Sequence, residues 1–495
     1  MAAINHVFVL MLENQSFDRL LGLSGITGFD PVLKKERPVD GSNTGMSNTR
    51  NGESYYVSAG APWSMTSDPN HEFEDVFEQL TGKDISEFNH GQPYPTPTNT
   101  GFVQNFAKLK PGNLGDIMSG YTPEQLPVIN ALAKEFAVCD RWFSSMPGPT
   151  WPNRFFLHGG SSGGLDHSPS MAETAEWETG IPGGFAFQNE SIFDKLKNAG
   201  QSFRFYRGNR FLTDDYPIVS ALRGITPSQS HPIDQFADDL KNGYSTFYTF
   251  IEPSYGNILN STYAGGTSQH PMDDVRGGEW LIKQTYEAIR NSPVWESSLL
   301  LITWDEHGGF FDHVIPPAAV VPGDLPQTAK GTFWDWLKSL FGKKSGEINK
   351  HGFTFNQYGV RVPALVVSPW VPRNTVDGTM YDHSTIPATL RALRNQLPSL
   401  TKRDQQANNV LALLSLEQPR KDAPLTLPGP DEIVASPASQ APVVEKDLDH
   451  GSVPGFAYLA LRNNLDGVTV KQQRQGIRDG YEGLQTNDDL RKFFE

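Results

Sequence analysis

The sequence predicts an α/β protein whose mainly parallel sheet is sandwiched between helices, and three observations carry that prediction. Five short apolar runs read as buried strands, helical patterns lie between them, and acidic or amide side chains stand just past two of the strand ends.

The five runs are Val7 to Leu12, Phe136 to Cys139, Phe247 to Ile251, Leu299 to Thr303 and Ala364 to Val367. None alternates strictly between apolar and polar residues, as expected of strands covered on both faces. The clearest helix runs from about Val275 to Arg290, with Leu281, Ile282, Thr285, Tyr286 and Ile289 on one face and Asp273 or Asp274 as its cap. A second follows Ser384 through Ile386, Leu390 and Leu393. Glu13 and Asn14 follow the first apolar run; Asp305 and Glu306 follow the fourth, after Trp304. Open parallel sheets bind their ligands at the carboxyl ends of the strands, so these four residues are the first candidates for a site.

Stretches rich in Gly, Asn, Pro and Ser, from about Gly22 to Pro69 and from Phe88 to Gly112, read as excursions over the surface. Residues 422–454 are rich in Pro, Ala and Ser and read as a linker or strap before a final polar helical segment that ends at Phe494. The chain therefore divides into a main domain over 1–420 and a C-terminal extension over 421–495.

Composition narrows the function. A net charge of -15 argues against a protein that binds nucleic acid through a broad basic surface. An acidic enzyme still binds a phosphate ester if a cation sits in its site. The single cysteine, Cys139, excludes an intrachain disulfide and fits a reducing compartment without proving one. Met1-Ala2-Ala3 runs into apolar sequence at Ile4, with no room for a leader and cleavage site. The compartment stays open between retention inside, another export route and a leader already removed. No apolar run approaches the roughly 18 to 20 residues of a membrane span.

The stretch HVFVLMLENQSFDRLLG, from His6 to Gly22, resembles the opening signature of the bacterial phospholipase C and acid phosphatase family, within the alkaline-phosphatase-like superfamily. Further blocks agree with it in the family's order: PGPTWPNRFF from Pro147, HPMDDVRGGEWLI from His270, ITWDEHGGFFDHVIPP from Ile302, and VPALVVSPWV from Val362 followed by YDHSTIPATLRAL. The resemblance implies an alkaline-phosphatase-like sheet and a metal-dependent phosphoesterase. It puts the nucleophile at Thr150, itself among the metal ligands, and imidazoles at His71 and His270 around the phosphate.

The residue types fit that chemistry independently. Glu13, Asn14, Asp305 and Glu306 offer only oxygen donors, three of them anionic, which suits one hard divalent cation such as Ca²⁺, Mg²⁺ or Mn²⁺, with Zn²⁺ not excluded. Thr150 lies in a turn rich in Pro and Gly at a helix start, where its hydroxyl either caps the helix or attacks phosphorus. His71 and His270, as imidazolium, would bind phosphoryl oxygens or protonate the leaving alcohol. Asn153 and Arg154 either contact phosphate or pin the nucleophile turn, and Asn153 is the better pocket candidate. His307, His313 and His383 sit in matched blocks without an assigned role.

Between Val320 and Gly352, the segment TFWDWLKSLFGKK would set Phe333, Trp336, Leu337, Leu340 and Phe341 on one helical face, with Lys338, Lys343 and Lys344 elsewhere. Such a helix over 333–341 resembles a peripheral membrane binder. A phospholipase C that cuts the glycerol side of a phospholipid, phosphatidylcholine favoured, is accordingly the leading expectation. An acid phosphatase for soluble phosphomonoesters is the second, and a non-catalytic phosphate-ester-binding protein the third. The oligomeric state is open.

Overall fold

A run such as His6–Leu12, with every residue buried, satisfies its backbone only by pairing on both edges, and it lies between two parallel neighbours. The computed structural model describes residues 4–178, 182–208, 216–258, 263–324, 348–431 and 451–464. In chain order the strands are β1 His6–Leu12, β2 Thr27–Asp30, β3 Lys35–Pro38, β4 Ser47–Arg50, β5 Glu53–Tyr56, β6 Ser58–Ala59 and β7 Ser119–Gly120. They continue with β8 Ala137–Cys139, β9 Phe203–Arg207, β10 Ser230–Pro232, β11 Tyr248–Glu252, β12 Ser298–Trp304, β13 Ala364–Val367 and β14 Thr375–Asp377.

The main sheet has the order β10-β9-β11-β1-β12-β13-β8-β14-β2-β3. Its neighbours are parallel except where β13 meets β12 and β8 and where β2 meets β3. Because β13 is reversed against both of its neighbours, β8 still runs with β12 and β1. Their carboxyl ends therefore share one edge of the sheet, and that edge carries the site.

All five expected strands and both expected helices are present, the latter as Val275–Arg290, capped by Asp274, and Thr385–Leu393. The stretch from Gly22 to Pro69 departs from its reading as a surface excursion, because β2 and β3 extend the main sheet from within it. An edge strand buries one face only, and β2 alternates exposed and buried residues accordingly. The stretch from Phe88 to Gly112 is also anchored: Phe88, Tyr94, Phe102, Val103 and Phe106 share a second apolar cluster with Phe73, Phe77 and Phe353.

Near the C-terminus, the carbonyls of Ala423, Pro424 and Leu427 accept hydrogen bonds from Arg290, Tyr286 and Lys283 on the long helix. Helix Val453–Asn464 buries Phe456 against Trp151 and Tyr255, and Tyr458 against Trp177. The expected membrane-binding helix over 333–341 and the final segment to Phe494 lie outside the described residues. Among the described residues no helix is long and apolar enough to cross a membrane.

Candidate active site

The turn after β1 forces Asn14 into the left-handed region at φ 58°. Its backbone N–H donates to Asp305 Oδ1 at 2.9 Å, which ties the end of β1 to the end of β12. The close approach continues at Gly308, φ 63°, where a Cβ would stand 2.2 Å from the Asn14 carbonyl oxygen. The Asn14 amide reaches both Thr150 Oγ1, at 3.1 Å, and Glu306 Oε1. An amide presents either its nitrogen or its oxygen in such a position.

Thr150 is the first residue of helix Thr150–Gly159, whose N-cap is Pro149. Thr150 is therefore not the capping residue, and its hydroxyl oxygen lies against the Asn14 amide. The helix N-terminus favours negative charge on that oxygen. Asn153 holds the turn from inside: its Oδ1 accepts from Met146 N at 3.0 Å, and its Nδ2 faces the carbonyls of Met146, Gly148 and Pro149. Of its two expected roles, substrate contact or pinning of the turn, these bonds match the second, since the amide is engaged by the loop that carries Thr150.

Three carboxylates crowd this edge. Burial lifts the Glu13 carboxyl well above the ordinary range, and the Asp305 charge adds to the effect against the opposing charge of Arg154. Burial likewise lifts Asp305 to about 6, with Arg154 opposing and Glu306 adding. Arg154 is itself buried, donating from Nε to Asp305 Oδ2 at 2.8 Å and lying 3.5 Å from Glu252. His71 donates from Nδ1 to the Pro69 carbonyl and turns Nε2 toward Glu306 Oε1 at 3.9 Å. Burial pushes its pKa down, but the charges of Glu306, Asp68 and Glu72 outweigh that and raise it to about 9. His71 therefore carries its proton at neutral pH.

His270 stands behind His71, with ring centroids 6.1 Å apart. Its Nδ1 accepts from Met272 N at 3.2 Å, its Nε2 lies 3.6 Å from Asp68 Oδ1, and Tyr263 stacks on its ring. The three unassigned histidines also find places. His383 donates to the Asp305 carbonyl at 2.6 Å, and burial lowers its pKa to about 4, so it holds the loop at Asp305 as a neutral ring. His307 bridges Glu306 and Gln79. His313 pairs with Asp18 and Asp40, beside Arg361.

The family model described as the Phosphoesterase family matches residues 4–396. The chain belongs to the Phosphoesterase family. This phosphoesterase is 33% identical over 442 residues to "Non-specific phospholipase C3" of Arabidopsis thaliana, covering 86% of this chain and 76% of that one. It is 27% identical over 457 residues to "Phospholipase C B" of Mycobacterium tuberculosis (strain ATCC 25618 / H37Rv), covering 84% and 78%. It is a phosphoric ester hydrolase. Among solved structures, the lipoteichoic acid synthase LtaP from Listeria monocytogenes aligns at TM-score 0.34 and 9% identity, over 96% of this chain and 93% of that one. The fold assignment rests on the phosphoesterase's own sheet.

Two clusters bear on a metal ion. Asp18, Asp312 and His313 bring ligating atoms within 4.8 Å of one another, the one such group of His, Cys, Asp or Glu side chains among the described residues. There Arg361 already supplies the positive charge, 2.9 Å from Asp312 and 3.1 Å from Asp18, and backbone N–H groups bond both carboxylates. At the strand ends the balance is different. Both Glu13 oxygens and Asn14 Oδ1 are buried without a hydrogen-bond partner among the described residues. Among the described residues, Glu13, Asp305 and Glu306 face only Arg154 and His71 as compensating cations. A buried oxygen-only donor set with unmatched negative charge fits a hard divalent cation.

Arg154, expected at the phosphate or the turn, pairs with Asp305 instead, and its signal is the i, i+4 spacing from Thr150 on one helix face. Asp68 is the participant that the sequence does not disclose. Three residues before His71, it adds to the charges that raise the His71 pKa and lies 3.6 Å from His270 Nε2, and only the fold brings His270 to it.

Proposed function

We propose that this phosphoesterase is a metal-dependent phospholipase C that cleaves the glycerol-side phosphodiester of phospholipids, phosphatidylcholine favoured, through a phosphoryl-Thr150 intermediate. The observation that carries the reading is the meeting of Thr150 Oγ1 with the Asn14 amide, which also contacts Glu306, beside buried carboxylate oxygens that lack partners. The relatives named as phospholipases C support the choice of substrate.

Glu13, Asn14, Thr150, Asp305 and Glu306 would hold the cation. A divalent ion, with Ca²⁺, Mg²⁺ and Mn²⁺ ahead of Zn²⁺, supplies positive charge to the nucleophile oxygen and to the phosphoryl oxygens. Thr150 Oγ attacks phosphorus in line with the glycerol oxygen, forming one P–O bond as the other breaks. The imidazolium of His71 gives its proton to the departing diacylglycerol, while His270 and Asp68 hold His71 in place and in charge. Water then attacks the phosphoryl group, yields a proton to neutral His71, and releases the phosphorylated head group while Thr150 Oγ departs as the alkoxide in which it attacked.

The test compares diacylglycerol release from phosphatidylcholine vesicles with turnover of a soluble phosphomonoester, before and after chelation and add-back of single metals. Vesicle hydrolysis should dominate, vanish on chelation and return with one of the hard cations. Thr150→Ala should lose roughly three orders of magnitude or more while keeping its thermal midpoint. Preference for the soluble monoester would replace the phospholipase reading with a phosphatase; undiminished turnover in Thr150→Ala would overturn the nucleophile.

A further inference from the structure

The hairpin between β2 and β3 ends in two adjacent exposed aliphatic residues, Val32 at 61% and Leu33 at 55%, with Phe29 at 43% on the strand below. Lys34 and Lys35 follow, both exposed, with exposed Glu36 after them. Single exposed aliphatics are common on protein surfaces. Here two stand side by side at a protruding end, and lysines flank them in a chain of net charge -15.

The tip is rigidly built. Asp30 Oδ1 accepts from the N–H groups of Val32 and Leu33 at 2.8 and 2.9 Å, and the Asp30 carbonyl accepts from Lys34 N at 2.8 Å. Lys34 takes the left-handed conformation, φ 57°, that closes the turn. Asp30 Oδ2 meets Arg37 Nε at 2.6 Å, and Arg37 in turn bonds Asp140 just past β8. The hydrogen bonds thus fix the turn that carries Val32 and Leu33 while leaving both side chains in water. Display of this kind costs little ordering entropy on binding.

Its position bears on function. β2 runs parallel to β14, β14 to β8, and β8 with β12 and β1, so the tip lies at the sheet edge that carries Glu13, Asp305 and Thr150. Five strand steps separate β2 from β1, about 24 Å at the usual spacing. Met380, 37% exposed, adds an apolar side chain on the loop after β14, whose Gly378 approaches Arg37. The neighbouring edge strand, Lys35–Pro38, reads Lys-Glu-Arg-Pro, and its charges and proline oppose addition of another chain's strand.

We propose that this hairpin tip inserts into a phospholipid surface, with Val32 and Leu33 entering the acyl boundary and Lys34 and Lys35 meeting lipid phosphates. It thereby sets the catalytic edge of the sheet against the membrane. The inference rests on the phospholipase reading for its purpose but not for its measurement.

The test measures vesicle binding apart from hydrolysis. Full-length Thr150→Ala protein, with and without Val32→Ser and Leu33→Ser together, is sedimented with phosphatidylcholine vesicles containing phosphatidylglycerol. The serine pair should lower the partition coefficient roughly tenfold or more. In the otherwise native chain the same pair should leave turnover of a soluble nitrophenyl phosphate ester unchanged. Lys35→Glu should lower binding to the anionic vesicles more than to pure phosphatidylcholine. Equal partition with and without the serine pair, or no sedimentation of the parent, overturns the proposal. So does a wild-type dimer that the serine pair converts to monomer, since the tip would then be an interface between copies. Tip-dependent binding without diacylglycerol release by the native enzyme supports the tip and removes the phospholipase reading instead.

Discussion

At the scale of single residues, the site is a problem of unmatched charge, and Arg154 is where the protein itself addresses it. The guanidinium is buried between Asp305 and Glu252 and also donates to the Leu12 carbonyl at 2.9 Å. Arg154→Met removes the positive charge and leaves the two carboxylates behind, so it should destabilise the fold by about 3 to 5 kcal/mol in the presence of chelator. Urea denaturation checks this, and an unshifted midpoint would mean that the guanidinium is not their counter-charge. Asn153 acts on the neighbouring turn. Its alanine variant strips Met146 N of its acceptor and the facing carbonyls of a donor, at a cost of about 1 to 3 kcal/mol. Because the Asn153 amide is bonded to the turn that carries Thr150, kcat should fall while KM stays near its native value; a rise confined to KM would return Asn153 to the pocket.

At the scale of elements, the helix that begins at Thr150 is braced from behind by a segment beyond the residues that the family model matches. Gly455 on helix Val453–Asn464 leaves so little room that a Cβ would stand 2.3 Å from the Trp151 ring, one residue from Thr150. Gly455→Leu should therefore force the ring aside, costing about 1 to 3 kcal/mol and lowering turnover together with the melting temperature. A variant that melts and works like the native chain would show the brace to be slack. The elements that the sequence discloses are those whose local pattern agrees with their burial: β1 and β12 are continuous apolar runs, buried at every position. β9 reads Phe-Arg-Phe-Tyr-Arg and half-buries both arginines, so its composition hides it. The strand-end residues Glu13, Asn14, Asp305 and Glu306 were legible because sheet topology puts any such residues on one edge. The role of Asn153 was not, because whether an amide faces a turn or a pocket depends on backbone angles that residue types leave open.

At the scale of the whole molecule, the acidic chain relies on a few buried cationic groups to join distant segments, and this makes its stability depend on pH. Asp166 is the centre of one such junction: His167 Nδ1 lies 2.9 Å from its Oδ1 and His351 Nδ1 lies 3.4 Å from its Oδ2. Glu173 pairs with the far side of His167 at 2.9 Å, and Glu74 with the far side of His351 at 3.3 Å. The junction ties the loop after helix Thr150–Gly159 to the helix after His71 and to the segment that begins at 348. Burial lowers the pKa of each imidazole, but the hydrogen-bonded ion pairs with Asp166 and Glu173 raise His167 to about 9, and the close carboxylates of Asp166 and Glu74 raise His351 to about 9. Both folded values lie above the unfolded value of about 6.5. Their stabilisation is therefore complete below about pH 6.5 and lost as the pH rises through 9. The carboxyls move the other way: although burial raises them, their imidazole partners bring Asp166 and Glu74 to about 2, so this contribution is lost only as the pH falls toward 2. Substituting His351→Gln should accordingly cost most near pH 6, with the gap in urea midpoint between native and variant closing toward pH 9.5. A gap that stayed constant across that range would mean that His351 acts by packing on Phe73, 4.7 Å away between ring centroids, rather than by its charge.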